Sequence, residues 1–249
     1  MTLSRSKIEY VLNPDGSPGY SYPIFTGCSQ PASVCYTRDL CWARGLHRRF
    51  KDKGWAELYD PDFRLKFNEC LKYLPALVRK PSTFAVAFTA DMFGPGSERF
   101  WRAQEQVLAE VRRSPQHRFL FLTKSPENLA RHNPWPPNAW VGCTFTGAES
   151  AERQQEIFAA LGKVQGGERW ISFEPILGPV YIHTEIGESL SWVVIGAQTG
   201  PRAMKPKLEW ISDIIAQADY MRIPIWIKNN LLQLFPQYYN LLTRQERPR

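Results

Sequence analysis

Seven short apolar runs recur along this chain, and the later ones are separated by stretches with the length and spacing of amphipathic helices. The runs are Tyr22 to Thr26, Phe84 to Thr89, Phe119 to Thr123 and Trp140 to Phe145, followed by three centred on Ile171, Val193 and Ile225. Each is short, rich in β-branched or aromatic residues and bounded by turn formers, which is the pattern of a buried strand. Ser97 to Arg113 carries Phe100, Trp101, Val107, Leu108 and Val111 at helical spacing, and Glu149 to Leu161 and Leu208 to Tyr220 behave alike. Strands alternating with helices pair in parallel, and near-continuous apolar strands fit a sheet covered by those helices. The expected fold is α/β, a partial (β/α) barrel with parallel strands, with an open doubly wound sheet as the alternative.

No internal repeat, linker or low-complexity block interrupts the 249 residues, and the 20 prolines are scattered. Residues 1–249 are therefore expected to form one domain. Hydrophobic residues at 43% and charged residues at 22% exclude disorder, collagen and coiled coil for the bulk of the chain. No apolar run approaches the roughly 18 residues of a spanning helix. The start, MTLSRSKIEY, lacks the apolar region of a signal peptide, so the expectation is a soluble, cytoplasmic protein with no membrane contact.

The strands end on polar residues. Asp91 follows the second run, Thr123 and Lys124 close the third, Thr144 and Thr146 the fourth, and Glu174, Gln198 and Lys228 the last three. In a barrel these positions converge on the C-terminal mouth, where barrel enzymes keep their chemistry. Polar residues also mark ordinary strand-to-loop junctions, so the group carries more weight than any member. Glu174 and Lys228 could meet as an ion pair or bind polar groups of a ligand, and they are the candidate catalytic residues. Asp91 is either a ligand-gripping carboxylate between Met92, Phe93 and the strand, or a cap for the helix beyond Gly96.

Five cysteines in a chain without an export signal make a disulfide framework unlikely as a design, leaving metal, catalysis or burial. Three of them, Cys28, Cys35 and Cys41, lie in one loop spanning residues 27–42 with the spacing Cys-x6-Cys-x5-Cys. Three thiolates on one loop suit a soft metal or an iron–sulfur cluster, whereas structural zinc wants a fourth ligand, for which His47 is the nearby candidate. Cys70 and Cys143 fall in helical and strand patterns and are expected to be buried.

The segments FTGCSQPASVCYTRDLCWARGLHRRF, FTADMFG, FLTKSPENL, WVGCTF, ISFEPILGPV, WVVIGAQTGPRAMKP and IPIWIKN cover most of the chain from Phe25 to Asn229. In that order they resemble the radical S-adenosylmethionine superfamily, and within it the phage-associated three-cysteine-motif proteins. The cysteines stand further apart here than in the superfamily's commonest pattern, Cys-x3-Cys-x2-Cys. The resemblance implies a 4Fe-4S cluster on Cys28, Cys35 and Cys41, with S-adenosylmethionine as second cofactor and an electron donor as partner. It further implies that Asp91 receives the methionyl amino group and that Thr144 and Glu174 contact ribose or substrate, with Gln198 beside them among the cofactor-binding residues.

Thirty-one Lys and Arg against 24 Asp and Glu give a net charge of +7, which favours polyanionic partners. Arg44, His47, Arg48, Arg49, Lys51 and Lys53 follow the third cysteine, and such a stretch either meets phosphate or is a solvated helix face. A nucleic acid or nucleotide is the expected substrate. Two other functions use the same residues: a zinc-containing nucleic-acid-binding module built on the cysteines and His47, and a metal-free hydrolase using Asp91, Glu174 and Lys228. The tryptophans at 101, 135, 140, 170, 192, 210 and 226 are expected in the core, and Trp42 is a candidate to cover the cluster or stack a base.

Overall fold

The computed structural model describes residues 3–30, 35, 41–50, 56–187, 189–200 and 203–248. Its strands are β1 (Ser4–Arg5), β2 (Tyr20–Tyr22), β3 (Phe25–Thr26), β4 (Lys66–Phe67), β5 (Thr83–Val86), β6 (Arg118–Thr123), β7 (Ala139–Thr144), β8 (Glu168–Phe173), β9 (Leu190–Ile195) and β10 (Ile225–Ile227). The main helices are α1 (Trp42–Phe50), α2 (Trp101–Arg113), α3 (Ala151–Gly162), α4 (Thr184–Gly187), α5 (Leu208–Tyr220) and α6 (Asn229–Leu234). Eight strands form one sheet in the order β1-β2-β5-β6-β7-β8-β9-β10, while β3 and β4 make a separate antiparallel ribbon. Only β1 runs antiparallel in the large sheet. The fold is thus α/β around a mostly parallel sheet, and the strand order never reverses along the chain.

Alternation along each strand sends side chains to two different apolar layers. On one face Phe84, Phe119, Val141, Ile171, Val193 and Ile225 join a large cluster with Val107, Val111, Ile157, Leu161, Ile211 and Ile214 of the helices. On the other face Ala85, Leu120, Trp140, Trp170, Trp192, Val194 and Trp226 form a second cluster, covered by Tyr10 and Val11 of the N-terminal segment. Four indoles therefore fill the helix-free face. Trp170 Nε1 donates to the carbonyls of Phe121 and Trp140, and Trp192 Nε1 donates to Glu246 O, so burial leaves neither indole unsatisfied.

The structure departs from the sequence reading at several points. The first run splits, because Pro23 has no N–H to continue a ladder: β2 enters the main sheet and β3 pairs with β4. The second run stops at Val86 instead of Thr89, since Ala87 turns into the left-handed region with φ of +56°. Ser97 to Phe100 is a 3-10 turn, and α2 begins at Trp101. Trp135, Trp140, Trp170, Trp192 and Trp226 are buried as expected, but Trp101 is 41% exposed and stacks on His132, and Trp210 is half-buried. Cys143 is fully buried, whereas Cys70 sits on the exposed side of a 3-10 turn. No helix among the described residues is long and apolar enough to cross a membrane.

The indole layer imposes a requirement on β7. Gly142 lies opposite Trp170 in register, and a Cβ there would stand 2.5 Å from the Trp170 ring. Gly142→Ala is expected to lower stability by about 1–3 kcal/mol, the usual cost of overpacking. Gly45→Ala in α1, where a Cβ meets nothing within 4 Å, should be neutral or stabilising by up to about 1 kcal/mol. Denaturant unfolding of the two variants checks the contrast.

Candidate functional site

Parallel strands bring their C-terminal ends to one edge of the sheet, and there the strand-end residues line a cavity of about 360 Å³. Cys28, Cys35 and Cys41 face it from the loop after β3, and Asp91, Thr144, Glu174, Gln198 and Lys228 face it from beyond β5, β7, β8, β9 and β10. Thr123 and Lys124 also belong to its wall. Thr146 does not: its N–H and hydroxyl donate to the Glu149 carboxylate, which secures the turn into α3.

Asp91 is 5% exposed, and its carboxylate is fully occupied by the protein itself. Oδ1 accepts from Thr123 Oγ1 at 2.7 Å and Phe93 N at 3.2 Å, and Oδ2 accepts from Gln30 Nε2 at 2.8 Å and Lys124 N at 2.9 Å. An ionised carboxylate offers about four lone-pair sites, and four donors fill them. Asp91 therefore caps no helix: it closes its own turn through Phe93 and ties the stem of the cysteine loop to the end of β6. The second Gln30 Nε2 proton goes to Ser125 Oγ at 2.9 Å, and Ser29 Oγ donates to Pro95 O, so Ser29 and Gln30 are both anchored.

Glu174 and Lys228 form an ion pair across β9, with side chains 25% and 17% exposed. Gly196 is what lets them meet. A Cβ at that position would lie 3.0 Å from Lys228 Cδ and 3.2 Å from Glu174 Cγ, so the two chains cross directly over a residue without a side chain. Gln198 Oε1 accepts from Met204 N at 2.8 Å and so shapes the loop after β9 while facing the cavity.

All three loop cysteines are half-buried. Burial pushes the Cys28 thiol up to about 11, with the Gln30 N–H acting against the rise and the Asp91 charge adding to it. Among the described residues no three His, Cys, Asp or Glu side chains stand close enough to hold a single ion. His47 does not line the cavity; its ring lies 5.6 Å from that of Tyr59 and 5.4 Å from that of Phe63, which does. Three thiols around one cavity without a fourth ligand are a poor donor set for structural zinc and a suitable one for a cluster, in which each thiolate meets a different iron.

A family described as "Protein of unknown function (DUF5131)" matches residues 6–231. The chain belongs to that family. No curated protein and no solved structure matches it.

The family match spans every strand-end residue named above and the cysteine loop. Residues 31–34 and 36–40 of that loop lie outside the described residues, as do Lys51 and Lys53 of the basic stretch. Arg48 and Arg49 are exposed on the last turn of α1, where cations also suit the helix dipole, and Arg44 lies 4.8 Å over the Phe63 ring. The sequence reading missed Gln30, Ser172, Tyr10 and Phe88, all of which line the cavity. Ser172 was legible in principle, since it stands two residues before Glu174 on one face of a strand; Gln30 has no such periodic signal.

Removing the Asp91 carboxylate strands four donors. Asp91→Ala is expected to cost about 2–4 kcal/mol in denaturant unfolding, because hydrogen bonds to a buried charge are the strong ones and their donors stay buried. A loss below about 1 kcal/mol would mean that the carboxylate is spare and open to a ligand.

Proposed function

We propose that this protein is a radical S-adenosylmethionine enzyme on a curled, partial (β/α) barrel, acting on a nucleic acid or nucleotide. The observation that carries the reading is the convergence of Cys28, Cys35 and Cys41 with five polar strand ends on one cavity. Curling is supported by the uninterrupted strand order, because a doubly wound sheet reverses its order at a switch point. It is supported further by residues 9–13, which reach from β5, two strands in from one edge, to the far edge at β10. Asn13 Oδ1 accepts from Thr83 N at β5, while Glu9 accepts from Asn229 N just beyond β10.

Cys28, Cys35 and Cys41 would hold the 4Fe-4S cluster, which when bound and reduced by an electron donor supplies an electron to cleave S-adenosylmethionine into methionine and a hydrogen-abstracting 5′-deoxyadenosyl radical. The chain's own contribution is positional. Asp91 and Gln30 hold Cys28 against the end of β6, and Tyr10, Phe88 and the indole layer below them keep water from the cavity floor. Glu174 and Lys228 hold one another at the mouth, where an arriving polar ligand exchanges with their ion pair. Thr144 and Gln198 offer a hydroxyl and an amide to ribose or substrate on neighbouring walls.

Anaerobic purification tests the assignment. Brown protein with iron and sulfide is expected, and Cys28→Ala, Cys35→Ala or Cys41→Ala should each abolish the visible absorbance while Cys70→Ala and Cys143→Ala retain it. The reduced, reconstituted protein should release 5′-deoxyadenosine from S-adenosylmethionine. Stoichiometric zinc in place of iron, or normal iron in a Cys35→Ala, Cys41→Ala double variant, overturns the proposal.

The nucleic-acid part of the reading rests on the net charge of +7 and on exposed Arg48 and Arg49 beside the cysteine loop. Each phosphate contact releases condensed counterions, so affinity falls with salt in proportion to the number of contacts. Neutralising Arg48 and Arg49 together should flatten the salt slope by roughly one unit per lost contact, without changing sequence preference. Oligonucleotide binding at several salt concentrations measures this; identical slopes would make the two arginines a solvated helix face.

A further inference from the structure

Three polar side chains in the cavity wall, Gln30, Thr89 and Ser172, carry a buried atom with no hydrogen-bond partner among the described residues, and two of them, Ser172 and Gln30, are buried as whole residues. Ser172 is 1% exposed, and among the described residues its Oγ has no hydrogen-bond partner. Gln30 is 7% exposed; both protons of its Nε2 are spent on Asp91 and Ser125, and its Oε1 has none either. The orientation of this amide is fixed by chemistry, since an ionised carboxylate can only accept and must face the NH2 group. Native proteins satisfy nearly all buried polar atoms, so three such atoms in the wall of one cavity, two of them on buried residues, are a built feature that calls for a partner.

We infer that Gln30 and Ser172 are the ligand-reading contacts of this cavity, that Asp91 is a positioning residue which presents the Gln30 carbonyl, and that the ligand carries a nucleobase. Gln30 Oε1 requires an N–H or O–H donor, and Ser172 Oγ accepts or donates. Tyr10 and Phe88 add aromatic surface to the same cavity, and Thr144, opposite Ser172 in the strand register, adds a hydroxyl. A flat heterocycle with an amine or imide edge meets these demands together: ring against ring, and donor against carbonyl. The choice of a nucleobase rests on the proposed nucleotide chemistry; the roles of Gln30 and Ser172 rest on their own unfilled bonds. The adenosyl end of the cofactor and the substrate both present such a base, and the chemistry is the same for both.

Ser172→Ala separates a ligand contact from a structural one, because the two roles give opposite signs. Removing a hydroxyl that no described residue bonds leaves the free protein as stable or more so, while the complex loses a hydrogen bond. Calorimetric titration of the full chain with adenosine, S-adenosylhomocysteine, guanosine, cytidine and thymidine is the measurement, with thermal unfolding of the free proteins alongside. At least one probe should bind wild type, and Ser172→Ala should weaken it roughly five- to tenfold with an unchanged or raised thermal midpoint. Gln30→Met should weaken it as well. Binding confined to adenosine and S-adenosylhomocysteine assigns the base to the cofactor, and binding of the other nucleosides assigns it to the substrate. The inference is overturned if no probe binds wild type, if Ser172→Ala binds as wild type does, or if it lowers the thermal midpoint. Iron content of the same samples tests the radical reading separately: nucleoside binding without iron leaves these contacts standing, and iron with an inert Ser172→Ala removes only them.

Discussion

The layer of four indoles on the helix-free face of the sheet is the constraint from which the rest follows. Trp140, Trp170, Trp192 and Trp226 are too large to share one face of neighbouring strands unless something gives way, and Gly142 is what gives way, leaving its place to the Trp170 ring. Tyr10 then seals the layer edge-on, with its ring 5.9 Å from Trp170 and 5.6 Å from Trp192. With that face filled at the indole level, the cavity that holds the strand-end residues lies towards the C-terminal ends of the strands. The indoles thus decide the depth of the cavity and keep its floor apolar, so polar groups near it must bond to one another or to a ligand.

Much of this architecture was readable in advance. The runs around Phe119, Trp140, Ile171, Val193 and Ile225 became β6 to β10 because each was apolar on both faces and each face found its own cluster. Errors fell where a backbone event overrode composition. Ala87 adopts a positive φ within an apolar run, and Pro23 splits another, and neither changes the hydrophobic pattern that signals a strand. The set of strand-end residues was legible for the same reason as the strands, since parallel pairing carries Asp91, Thr144, Glu174, Gln198 and Lys228 to one edge. Their individual roles were not. Whether Asp91 is available depends on Thr123, Phe93, Lys124 and Gln30 arriving from three segments, and that is a property of tertiary structure.

Hydrogen-bond accounting sorts these polar residues better than their position does. Thr146 and Asp91 have every near-term demand met within the chain, and each fastens one segment to another. Glu174 and Lys228 hold each other at an accessible mouth, so their pairing can be exchanged for a ligand's charges at modest cost, as is usual for ion pairs that water still reaches. Ser172 and Gln30 have buried atoms that no described residue meets. A fold that needed only stability would replace the serine by alanine and lose nothing, because an unsatisfied buried hydroxyl opposes folding. Retaining it near the C-terminal end of β8, flanked in register by Thr144 on one side and Val194 on the other, makes sense when the missing bond is made by something that enters the cavity. On that proposal the protein holds its ligand contacts ready at some expense in stability, while its anchoring contacts, led by Asp91, keep the stem of the cysteine loop at the wall of the same cavity.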